Sequence, residues 1–506
     1  MSAAPAARPL RGLLEGYAEA VPDLAVAGVE LDSRRVAPGS LFLAVRGHAQ
    51  HGLKFAGEAL QRGAAAVAWE PALDLPAPRL DVPAVAVEDL GRRAGDIAAR
   101  YWGHPSHGLF SVGITGTDGK TSTAHLVAQA LEILGTPCGY FGTLGYGRLG
   151  ALADASHTTP DPVRLQAMLA AQREAGARAF SMEVSSHALD QGRVIGVEFD
   201  VAVLTNIGRD HLDYHGSIQQ YAAAKRRLFA WPGLRAAVLN RDDAHGAEWA
   251  RALSVPAEIT LYGVGGEPPA RERHVLGTDL DLHVGGLRFQ VRSSWGEARI
   301  DSRLLGRFNV YNLLAALACL LHGGVPLRDA AAALSQCGTV PGRIEGFRGP
   351  AASPLVVVDY AHTPQALQQV LAALRAHTAG RLWCVFGCGG DRDRGKRPLM
   401  GRAAAELADV AVVTDDNPRG EAPADIVADI LRGIPAELRG RVSVEHDRAS
   451  AIERAVRAAG ADDVVLVAGK GHEDYQIYGS TTRRFSDREF VARLAGHGGG
   501  DAGERQ

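Results

Sequence analysis

The sequence predicts an α/β protein of three domains, and two observations carry this prediction. Short apolar runs alternate with longer amphipathic stretches along the chain, which is typical of strands and helices that follow one another in parallel sheets. The chain has 506 residues, whereas a domain usually contains roughly 100–200. Gly- and Pro-containing stretches at 101–108 and 336–347 mark boundaries. We therefore expect a smaller N-terminal α/β domain, a central domain and a C-terminal domain, at 1–107, 108–338 and 339–506.

Strand and helix patterns define the two larger domains. In the central domain, apolar runs predict strands at 111–115, 177–184, 200–207 and 236–240, and a helix at 122–135. In the C-terminal domain they predict strands at 355–360, 382–387, 409–415 and 464–469, separated by helical patterns such as 364–377. We expect a parallel-rich sheet in the central domain and a Rossmann-like sheet in the C-terminal domain. Ligands should bind at the carboxyl ends of the strands.

Composition and charge exclude several classes of protein. Apolar residues make up 46% of the chain and charged residues 22%, which indicates a globular protein rather than a disordered one. Lys and Arg number 54 and Asp and Glu number 57, so the formal net charge is -3. Nucleic-acid binders usually carry a basic surplus, and we therefore expect no nucleic-acid partner. The Gly-rich polar end at about 497–506 is predicted to be disordered.

Cysteine usage and hydropathy indicate the compartment. The five cysteines are scattered along the chain, which is typical of reduced proteins. Cys384 and Cys388 are the only close pair, and we interpret them as packed thiols rather than a zinc site. No apolar run reaches the ~18–20 residues that a membrane span needs, and the N-terminus lacks the apolar core of a signal peptide. We expect a cytoplasmic monomer.

A glycine-containing loop, GTDGKT, joins the first predicted strand of the central domain to the following helix. Its backbone amides and the helix N-terminus favour an anion, Lys120 adds a positive charge, and Thr121 offers a hydroxyl group to Mg²⁺. The full G-x-x-x-x-G-K-[ST] spacing is absent, because Ile114 stands where the first glycine would be. We predict a P-loop-type nucleotide site, and the alternative is an ordinary strand–helix turn.

Polar side chains follow neighbouring strands of the same domain. Glu183 and His211 come at predicted strand ends, and Lys225 lies in the helical stretch YAAAK. Taken singly, such residues are usually a capping carboxylate, a hydrogen-bonded histidine and a solvent-facing lysine. Because they converge on one edge of one sheet, they predict a Mg²⁺ site beside nucleotide phosphates.

Together these motifs resemble the Mur ligases, the ATP-dependent amide-bond-forming enzymes of peptidoglycan synthesis. The resembling motifs run in family order over nearly the whole chain: DSRRVAPGSLFLAVRGHAQHG (32–52), TGTDGKTS (115–122), HTTP (157–160), MEVSSHAL (182–189), TNIGRDHLDYHG (205–216), YAAAK (221–225), GRFNVYNLLAA (306–316), PGRIE (341–345), VDYAHTP (358–364), GCGGDRDRGKRPLMG (387–401), DDNPR (415–419) and AGKGHEDYQ (468–475). The chain departs from the family at Asp118 and His157, where asparagine is usual.

The resemblance implies ATP, Mg²⁺ and a CO₂-derived carbamate on Lys225. It assigns catalytic roles to Lys120, Glu183, His211 and Lys225, and Mg²⁺ binding to Thr121, Glu183, His211 and Lys225 as its carbamate. Residues that match ATP contacts are Gly116, Thr117, Asp118, Gly119, Lys120, Thr121, Ser122, Asn309, Arg343 and Asp359. A linker around 337–342 is expected to hinge the last domain over the site.

The implied reaction joins two small molecules. The first is UDP-N-acetylmuramoyl-L-alanyl-D-glutamate, whose expected contacts are Leu31, Ser33, His48, Ala49, Gln50, His157, Thr158, Thr159, Ser185, Gln191 and Arg193. The second is meso-2,6-diaminopimelate, whose expected contacts are Arg392, Asp416, Asn417, Pro418, Arg419, Gly469 and Glu473. In the family, DNPR marks members that select diaminopimelate. The guanidinium of Arg419 can hold its distal carboxylate with two parallel hydrogen bonds.

Four alternatives remain open at this stage. Within the family, the chain could add lysine instead of diaminopimelate. A folylpolyglutamate-synthetase-type ligase would also use a GKT loop and a lysine carbamate, but the DNPR motif and the UDP-binding first domain argue against it. A P-loop GTPase would need an N-K-x-D signature, which is absent from the sequence. A purely structural protein would leave the polar strand ends unexplained.

Overall fold

The computed structural model describes residues 6–47, 50–72, 75–154, 158–350 and 353–496. His48, Ala49, His157 and the end of the chain at 497–506, on which expectations fell, lie outside the described residues. The chain divides into two compact units. The first comprises Met1–Leu276, Ser293–Gly296 and Asn312–Ala333, and the second comprises Gly277–Arg292, Glu297–Tyr311 and Leu334–Gln506.

The N-terminal part of the first unit is a small α/β fold. Its elements are β1 (Arg8–Pro9), α1 (Leu10–Leu13), β2 (Ala25–Val26), β3 (Gly28–Glu30), β4 (Ser40–Ala44), α2 (Ala56–Gln61), β5 (Ala66–Trp69), β6 (Ala84–Ala86) and α3 (Leu90–Trp102). Strands β3, β4, β5 and β6 pair in that order, all parallel. The apolar face of α3 packs on this sheet, and Ile97, Ala98 and Tyr101 are buried there. This is the smaller N-terminal α/β fold that the sequence predicts.

A larger parallel sheet forms the rest of the first unit. Its elements are β7 (Phe110–Thr115), α4 (Lys120–Ile133), β8 (Cys138–Gly142), β9 (Gly145–Arg148), α5 (Pro162–Glu174), β10 (Ala179–Glu183), α6 (Ser186–Asp190), β11 (Val201–Leu204), α7 (Leu212–His215), α8 (Ile218–Arg226), β12 (Ala236–Asn240), α9 (Ala244–Ala252) and β13 (Glu258–Val264). The strand order is β13-β12-β11-β7-β10-β8-β9. Only the β8–β9 pair is antiparallel among these.

This strand order determines where the functional loops lie. Strand β7 pairs with both β10 and β11. The carboxyl ends of these three strands therefore lie side by side, and the GKT motif, Glu183 and the TNIGRDH stretch are found there. Five elements contain residues of both units: β14 (Arg273–His283), β15 (Gly286–Ser293), β16 (Gly296–Ser302), α10 (Phe308–His322) and α11 (Leu327–Gln336).

The second unit is built on a doubly wound sheet. Its elements are β17 (Glu345–Arg348), β18 (Leu355–Asp359), α12 (Pro364–Arg375), β19 (Leu382–Phe386), α13 (Lys396–Leu407), β20 (Val410–Val413), α14 (Pro423–Arg432), β21 (Val442–Val444), α15 (Arg448–Ala458), β22 (Val464–Ala468), β23 (Tyr475–Tyr478), β24 (Thr481–Arg484) and α16 (Asp487–Leu494). The sheet order is β17-β18-β22-β19-β20-β21, with β17 antiparallel and the others parallel. Strands β23 and β24 form a separate hairpin.

Both faces of this sheet are covered, which explains the continuous apolar strands in the sequence. On one face, α12, α13 and α14 cover Val357, Cys384 and Leu466. On the other face, α15 and α16 cover alternate strand residues such as Val465 and Val467. Each predicted strand of this unit is present within a few residues, and the Rossmann-like arrangement is confirmed.

The five cysteines are free and buried, so the interpretation of Cys384 and Cys388 as packed thiols is confirmed. Within the part of the chain that the structure describes, no helix has the length and hydropathy needed to cross a membrane.

Candidate active site

The GKT loop joins β7 to α4 through two glycines in unusual backbone conformations. Gly116 has φ +147° and Gly119 has φ +81°, a region that side chains rarely adopt. A Cβ atom on Gly116 would lie 1.8 Å from Oγ1 of Thr205, so no larger residue fits. Gly119 then precedes the first turn of α4. The loop therefore presents bare backbone at a helix N-terminus, as an anion site requires.

Lys120 lies folded against its own loop. Its Nζ donates hydrogen bonds to the carbonyl oxygens of Gly116, at 3.0 Å, and Thr117, at 2.7 Å. Burial lowers the pKa of this ammonium, and the nearby carboxylate of Glu183 opposes the shift. Thus the positive charge is held beside the backbone that the sequence predicts to bind phosphates.

Asn206, in the loop after β11, fixes the middle of the GKT loop. Its backbone oxygen accepts from the amide of Thr117 at 2.8 Å, and its Oδ1 accepts from the amide of Asp118 at 3.1 Å. Because these two amides already have partners, the amides of residues 119–122 remain as candidates for anion binding. Ser122, the last of these residues, is half-buried. The Asp118 residue is exposed.

Glu183 is the most closely held carboxylate of the site. It ends β10, is completely buried, and accepts a hydrogen bond from Oγ1 of Thr121 at 2.8 Å. The hydroxyl group of Tyr140 donates to its other oxygen at 2.6 Å, and the amide of Thr143 donates at 2.8 Å. These contacts hold one side-chain oxygen of Glu183 beside that of Thr121.

Lys225 lies in a buried position on α8. Only 1% of the residue is exposed, and its Nζ donates to the carbonyl oxygen of Gly116 at 2.6 Å. Burial, aided by the charge of Lys120, lowers the pKa of Lys225 to about 6. The structure thus brings Lys225 to the GKT loop, and a solvent-facing position for this lysine is excluded.

His211 reaches the same neighbourhood from the loop after β11. Its ring lies 4.8 Å from that of His187, centroid to centroid, and its Nε2 lies 3.3 Å from Asp210. Tyr221 is a common neighbour, since its ring lies 6.4 Å from the His211 ring and 4.5 Å from Nζ of Lys225. The His211 side chain is 49% exposed, so its ring is accessible to a ligand.

Five of the residues predicted to contact the UDP-linked substrate, Thr158, Thr159, Ser185, Gln191 and Arg193, gather around the end of β10. Oγ1 of Thr159 donates to the backbone oxygen of Glu183 at 2.9 Å, and the amide of Ser185 donates to Thr159 at 3.3 Å. The guanidinium of Arg193 donates to Oε1 of Gln191 and to the backbone of Thr159. Thr158 lies 3.2 Å from Thr143 through their hydroxyl groups.

Some of the residues predicted to contact the UDP-linked substrate line a cavity of about 890 Å³ in the first unit. Leu31, Ser33 and Arg193 are among its lining residues, and Ser33 donates to Glu58 at 2.6 Å. Glu30 also lines the cavity, and burial raises its pKa to about 7. Gln50 is exposed and accepts the Gly47 amide through its backbone.

Three residues with predicted ATP contacts lie in the second unit. Asp359 ends β18, and its carboxylate accepts from the amides of Ile344, at 2.8 Å, and Ala361, at 2.7 Å. Burial raises the pKa of Asp359. The Arg343 guanidinium lies 5.0 Å from the centre of the Tyr360 ring. Asn309 is buried on α10 and donates to the backbone of Leu305.

The DNPR loop follows β20 and is held by the β23–β24 hairpin. Arg419 has a left-handed backbone (φ +53°), and its amide donates to Ile477 while its carbonyl accepts from Gly479. Its Nη1 donates to the carbonyl oxygen of Gly390 at 3.0 Å. Pro418 approaches the same glycine so closely that a Cβ there would lie 1.8 Å from the Pro418 carbonyl oxygen. The loop of 389–394, with exposed Arg392, thus adjoins Arg419.

The acidic residues of this set form one cluster. Nδ2 of Asn417 donates to Oε2 of Glu473 at 3.2 Å. Nζ of Lys470 lies 3.2 Å from Oδ1 of Asp416. Gly469 has φ +121°, and a Cβ there would lie 3.2 Å from the Asp416 carboxylate. The structure therefore brings the predicted diaminopimelate residues together within the second unit.

A buried arginine supports the same loops. Arg397 on α13 is completely shielded from solvent and donates to both carboxylate oxygens of Glu421, at 2.8 and 3.0 Å. It also donates to Asp429 at 2.9 Å. Glu421 in turn accepts from the amide of Asp391 at 2.6 Å. This ion-pair network links the loop of 389–394 to Glu421, which lies two residues after the DNPR motif.

Sequence reasoning missed several of these groups. Asn206, Arg397 and Lys470 lie inside quoted motifs but received no role, and for Asn206 and Lys470 polarity after a strand end was the available signal. Tyr140, Thr143 and Glu421 carried no local signal, because their partners are distant in sequence. No group of three or more His, Cys, Asp or Glu side chains suited to a metal occurs in the described ranges. A metal here would therefore need other oxygen ligands, such as Thr121 or a modified lysine.

Three family models match successive parts of the chain. They are described as "Mur ligase family, catalytic domain" at residues 25–102, "Mur ligase middle domain" at 114–320, and "Mur ligase, glutamate ligase domain" at 342–471. The three matches correspond to a three-domain architecture.

Several relatives share the name UDP-N-acetylmuramoyl-L-alanyl-D-glutamate--2,6-diaminopimelate ligase. One from Alkalilimnicola ehrlichii is 51% identical over 96% of this chain and 98% of its own. Another, from Pseudomonas aeruginosa, is 50% identical over 94% of this chain and 96% of its own. A solved structure of a ligase with that name has a TM-score of 0.79 and 37% identity, and the match covers 97% of this chain and 99% of that one.

Proposed function

The chain belongs to the Mur ligase family, and we propose that it joins meso-2,6-diaminopimelate to UDP-N-acetylmuramoyl-L-alanyl-D-glutamate in a reaction that converts ATP to ADP and phosphate. An oxygen of the D-glutamate γ-carboxylate attacks the γ-phosphorus of ATP, and ADP leaves. The neutral amine then attacks the carbonyl carbon of the acyl phosphate and gives up one proton. The bond from carbon to the phosphate oxygen breaks, so phosphate leaves and an amide is formed.

The GKT loop supports the first step. Phosphoryl transfer between anions depends chiefly on positioning and on neutralising charge. The amides of residues 119–122 at the start of α4 and the ammonium of Lys120 supply both without covalent chemistry. The residues around β10, from Thr159 to Arg193, then hold the acceptor carboxylate near the loop.

The donor set beside the loop fits Mg²⁺. Thr121 and Glu183 offer two oxygen atoms that already face each other at 2.8 Å. Bound Mg²⁺ would neutralise charge on the phosphate oxygens. Asp118, one of the two departures from the family pattern, lies outside this set, since the residue is exposed.

We further propose that Lys225 carries a carbamate. A buried ammonium beside Lys120 would be repelled by it, and the lowered pKa of about 6 leaves the amine neutral at neutral pH. A neutral amine can add to CO₂, forming an N–C bond and releasing a proton. The product is an anionic oxygen ligand, and His211 would bind the same cation through its accessible ring.

The DNPR cluster supports the choice of amine. Arg419 provides a guanidinium for the distal carboxylate of diaminopimelate, and Glu473 provides a carboxylate for its distal ammonium. Lysine lacks that carboxylate, so its binding would leave Arg419 unpaired.

One observation carries the proposal: relatives named for this reaction are about half identical to this chain over nearly its whole length. The test is an assay of phosphate release and of peptide product with the UDP-linked dipeptide, offering diaminopimelate and lysine separately. We expect diaminopimelate-dependent phosphate release with one amide formed per phosphate. Equal or greater turnover with lysine would contradict the proposed specificity, and turnover with neither amino acid would contradict the reaction.

A further inference from the structure

A buried lysine lies inside the DNPR cluster with no role assigned to it. Lys470 follows β22 and has no exposed surface. Its Nζ lies 3.2 Å from Oδ1 of Asp416, 3.3 Å from Oδ1 of Asn417 and 3.7 Å from Oε2 of Glu473. A fully buried lysine is rare unless it is paired. This one is paired with the side chains predicted to contact the amino-acid substrate.

The charges of this cluster can be counted. Asp416 and Glu473 bring two negative charges, and Lys470 cancels one of them. The nearby buried cation Arg448 is paired with Asp487 through two hydrogen bonds of 2.7 and 2.8 Å, so that pair adds no net charge. Apart from Arg419, which is assigned to the substrate carboxylate, one negative charge is left, and it suits one substrate ammonium.

Lys470 also fixes the orientation of the amide side chain of Asn417. Oδ1 of Asn417 accepts from Lys470 and from the amide of Ile477 at 3.0 Å. Because both of these partners are donors, the NH₂ group of Asn417 must point the other way, where it donates to Glu473. The lysine thereby holds Glu473 in place through Asn417.

We propose that Lys470 is a positioning residue that sets amino-acid specificity by balancing the charge of this cluster, an inference that rests on the proposed function. The distal end of diaminopimelate is a zwitterion, whereas that of lysine is a lone ammonium. With Lys470 present, a single negative charge pairs with the substrate ammonium. No excess negative charge then competes with the substrate carboxylate for Arg419. Without Lys470, a second negative charge repels the distal carboxylate and attracts the lone ammonium.

The test compares the kcat/KM values for diaminopimelate and lysine in the wild-type enzyme and in Lys470→Met, which has similar length but no charge. We expect the ratio of diaminopimelate to lysine to fall by about 10-fold or more, because one unscreened charge acts at close range. The KM values for ATP and for the UDP-linked dipeptide should stay unchanged. A purely structural role would lower turnover with both amino acids alike.

Two further variants make the test specific. Lys396→Met is the matched control, because Nζ of Lys396 donates to the backbone oxygen of His362 rather than to a carboxylate. It should leave the ratio unchanged. The double variant Lys470→Met/Asp416→Asn removes one buried charge of each sign, so it should fold and should return the ratio towards the wild-type value.

The outcomes separate this inference from the proposed function. Wild-type enzyme that uses neither amino acid would overturn the proposed function on its own. Wild-type enzyme that prefers diaminopimelate, with an unchanged ratio in folded Lys470→Met, would overturn the role of Lys470. If the single variant does not fold, the double variant decides. A ratio near the wild-type value then supports charge balance, and a ratio that remains low contradicts it.

Discussion

The GKT loop of the first unit and the DNPR loop of the second both leave the carboxyl end of a parallel strand, but they are held in different ways. The GKT loop depends on two glycines and on backbone contacts with Asn206. The DNPR loop depends on buried charges from elsewhere in the chain, above all Lys470 and Arg397. A site for phosphates needs exposed backbone amides, whereas a site for a zwitterion needs side-chain charges at fixed positions.

The buried lysines of the two sites, Lys225 and Lys470, have opposite electrostatic surroundings. Lys225 is buried against a carbonyl oxygen and a second cation, and its pKa is lowered to about 6. Lys470 is buried against two carboxylates, which stabilise its charge. The first environment favours a reactive neutral amine, whereas the second places two carboxylates beside the lysine. The same residue type thus serves the two sites through opposite electrostatics.

The largest effect is expected from Lys225→Ala in the first site. Loss of the proposed carbamate should lower kcat by about 100- to 1,000-fold, as for other groups that stabilise charge in the transition state. Formate or acetate should restore part of the activity, because a small carboxylate can occupy the vacated space. Steady-state phosphate release with and without these anions measures both effects.

Arg226→Ala is the control for that experiment, since Arg226 is the next residue on α8 and donates to the backbone of Ala252. It should lose little activity and gain nothing from formate. Activity of Lys225→Ala close to that of the wild type would contradict a role for the proposed carbamate. An absence of rescue by every small carboxylate would argue that the lysine acts as an amine.

A smaller effect is expected from Arg419→Lys in the second site. An ammonium cannot form the two parallel hydrogen bonds of a guanidinium, so the KM for diaminopimelate should rise by about 30-fold or more. The KM for ATP should not change, because the hydrogen bonds of Arg419 go to Gly390, Asn417, Ile477 and Gly479 and not to residues with predicted ATP contacts. Arg402→Lys, in an exposed pair with Glu406, is the control and should alter neither constant. An unchanged KM for diaminopimelate in Arg419→Lys would contradict the proposal that Arg419 binds the distal carboxylate of this substrate.

The smallest effect is expected from Glu421→Gln, which tests the support of the DNPR loop. Hydrogen bonds from Arg397 hold the pKa of Glu421 at about 2, below its ordinary value of 4.5. Between these values the folded chain binds fewer protons than the unfolded chain, so this contribution to stability is present above pH 4.5 and is lost as the pH falls towards 2. The variant should therefore lose less thermal stability on acidification than the wild type does.

Thermal denaturation of the full chain between pH 7 and pH 3 measures this difference. Glu406→Gln removes an exposed carboxylate from α13 and should follow the wild-type profile. The Glu421→Gln variant should also raise the KM for the amino acid, by up to about 10-fold. The reason is that the loops carrying Arg392 and Arg419 are no longer held in fixed positions. Parallel acid profiles for Glu421→Gln and the wild type would show that the ion pair is not strong in the folded state.

Much of the fold could be predicted from the sequence, and the exceptions have a physical cause. The strand predicted at 236–240 is present as Ala236–Asn240, and that at 355–360 as Leu355–Asp359. These strands are buried on both faces, so they form continuous apolar runs. Strands β14 and β16 were not predicted, because many of their residues are exposed or half-buried and no apolar run marks them.

The sites differ in the same way. The GKT loop was recognisable because its glycines and lysine are neighbours in the sequence. The supporting groups were not, because Tyr140 lies 43 residues from Glu183, and Lys470 lies 54 residues from Asp416. Arg397 lies 24 residues from Glu421. Only the folded sheet brings these partners together, so their pairing leaves no local pattern.

The transfer of oxygen from substrate to phosphate tests the proposed acyl phosphate most directly. The UDP-linked dipeptide would be prepared with both oxygens of the D-glutamate γ-carboxylate as ¹⁸O and incubated with the enzyme, ATP, Mg²⁺ and diaminopimelate. Mass spectrometry should find one ¹⁸O atom in each released phosphate and the other in the new amide. If the amide forms but the released phosphate contains no ¹⁸O, the γ-carboxylate is not activated as an acyl phosphate and the proposed mechanism is contradicted.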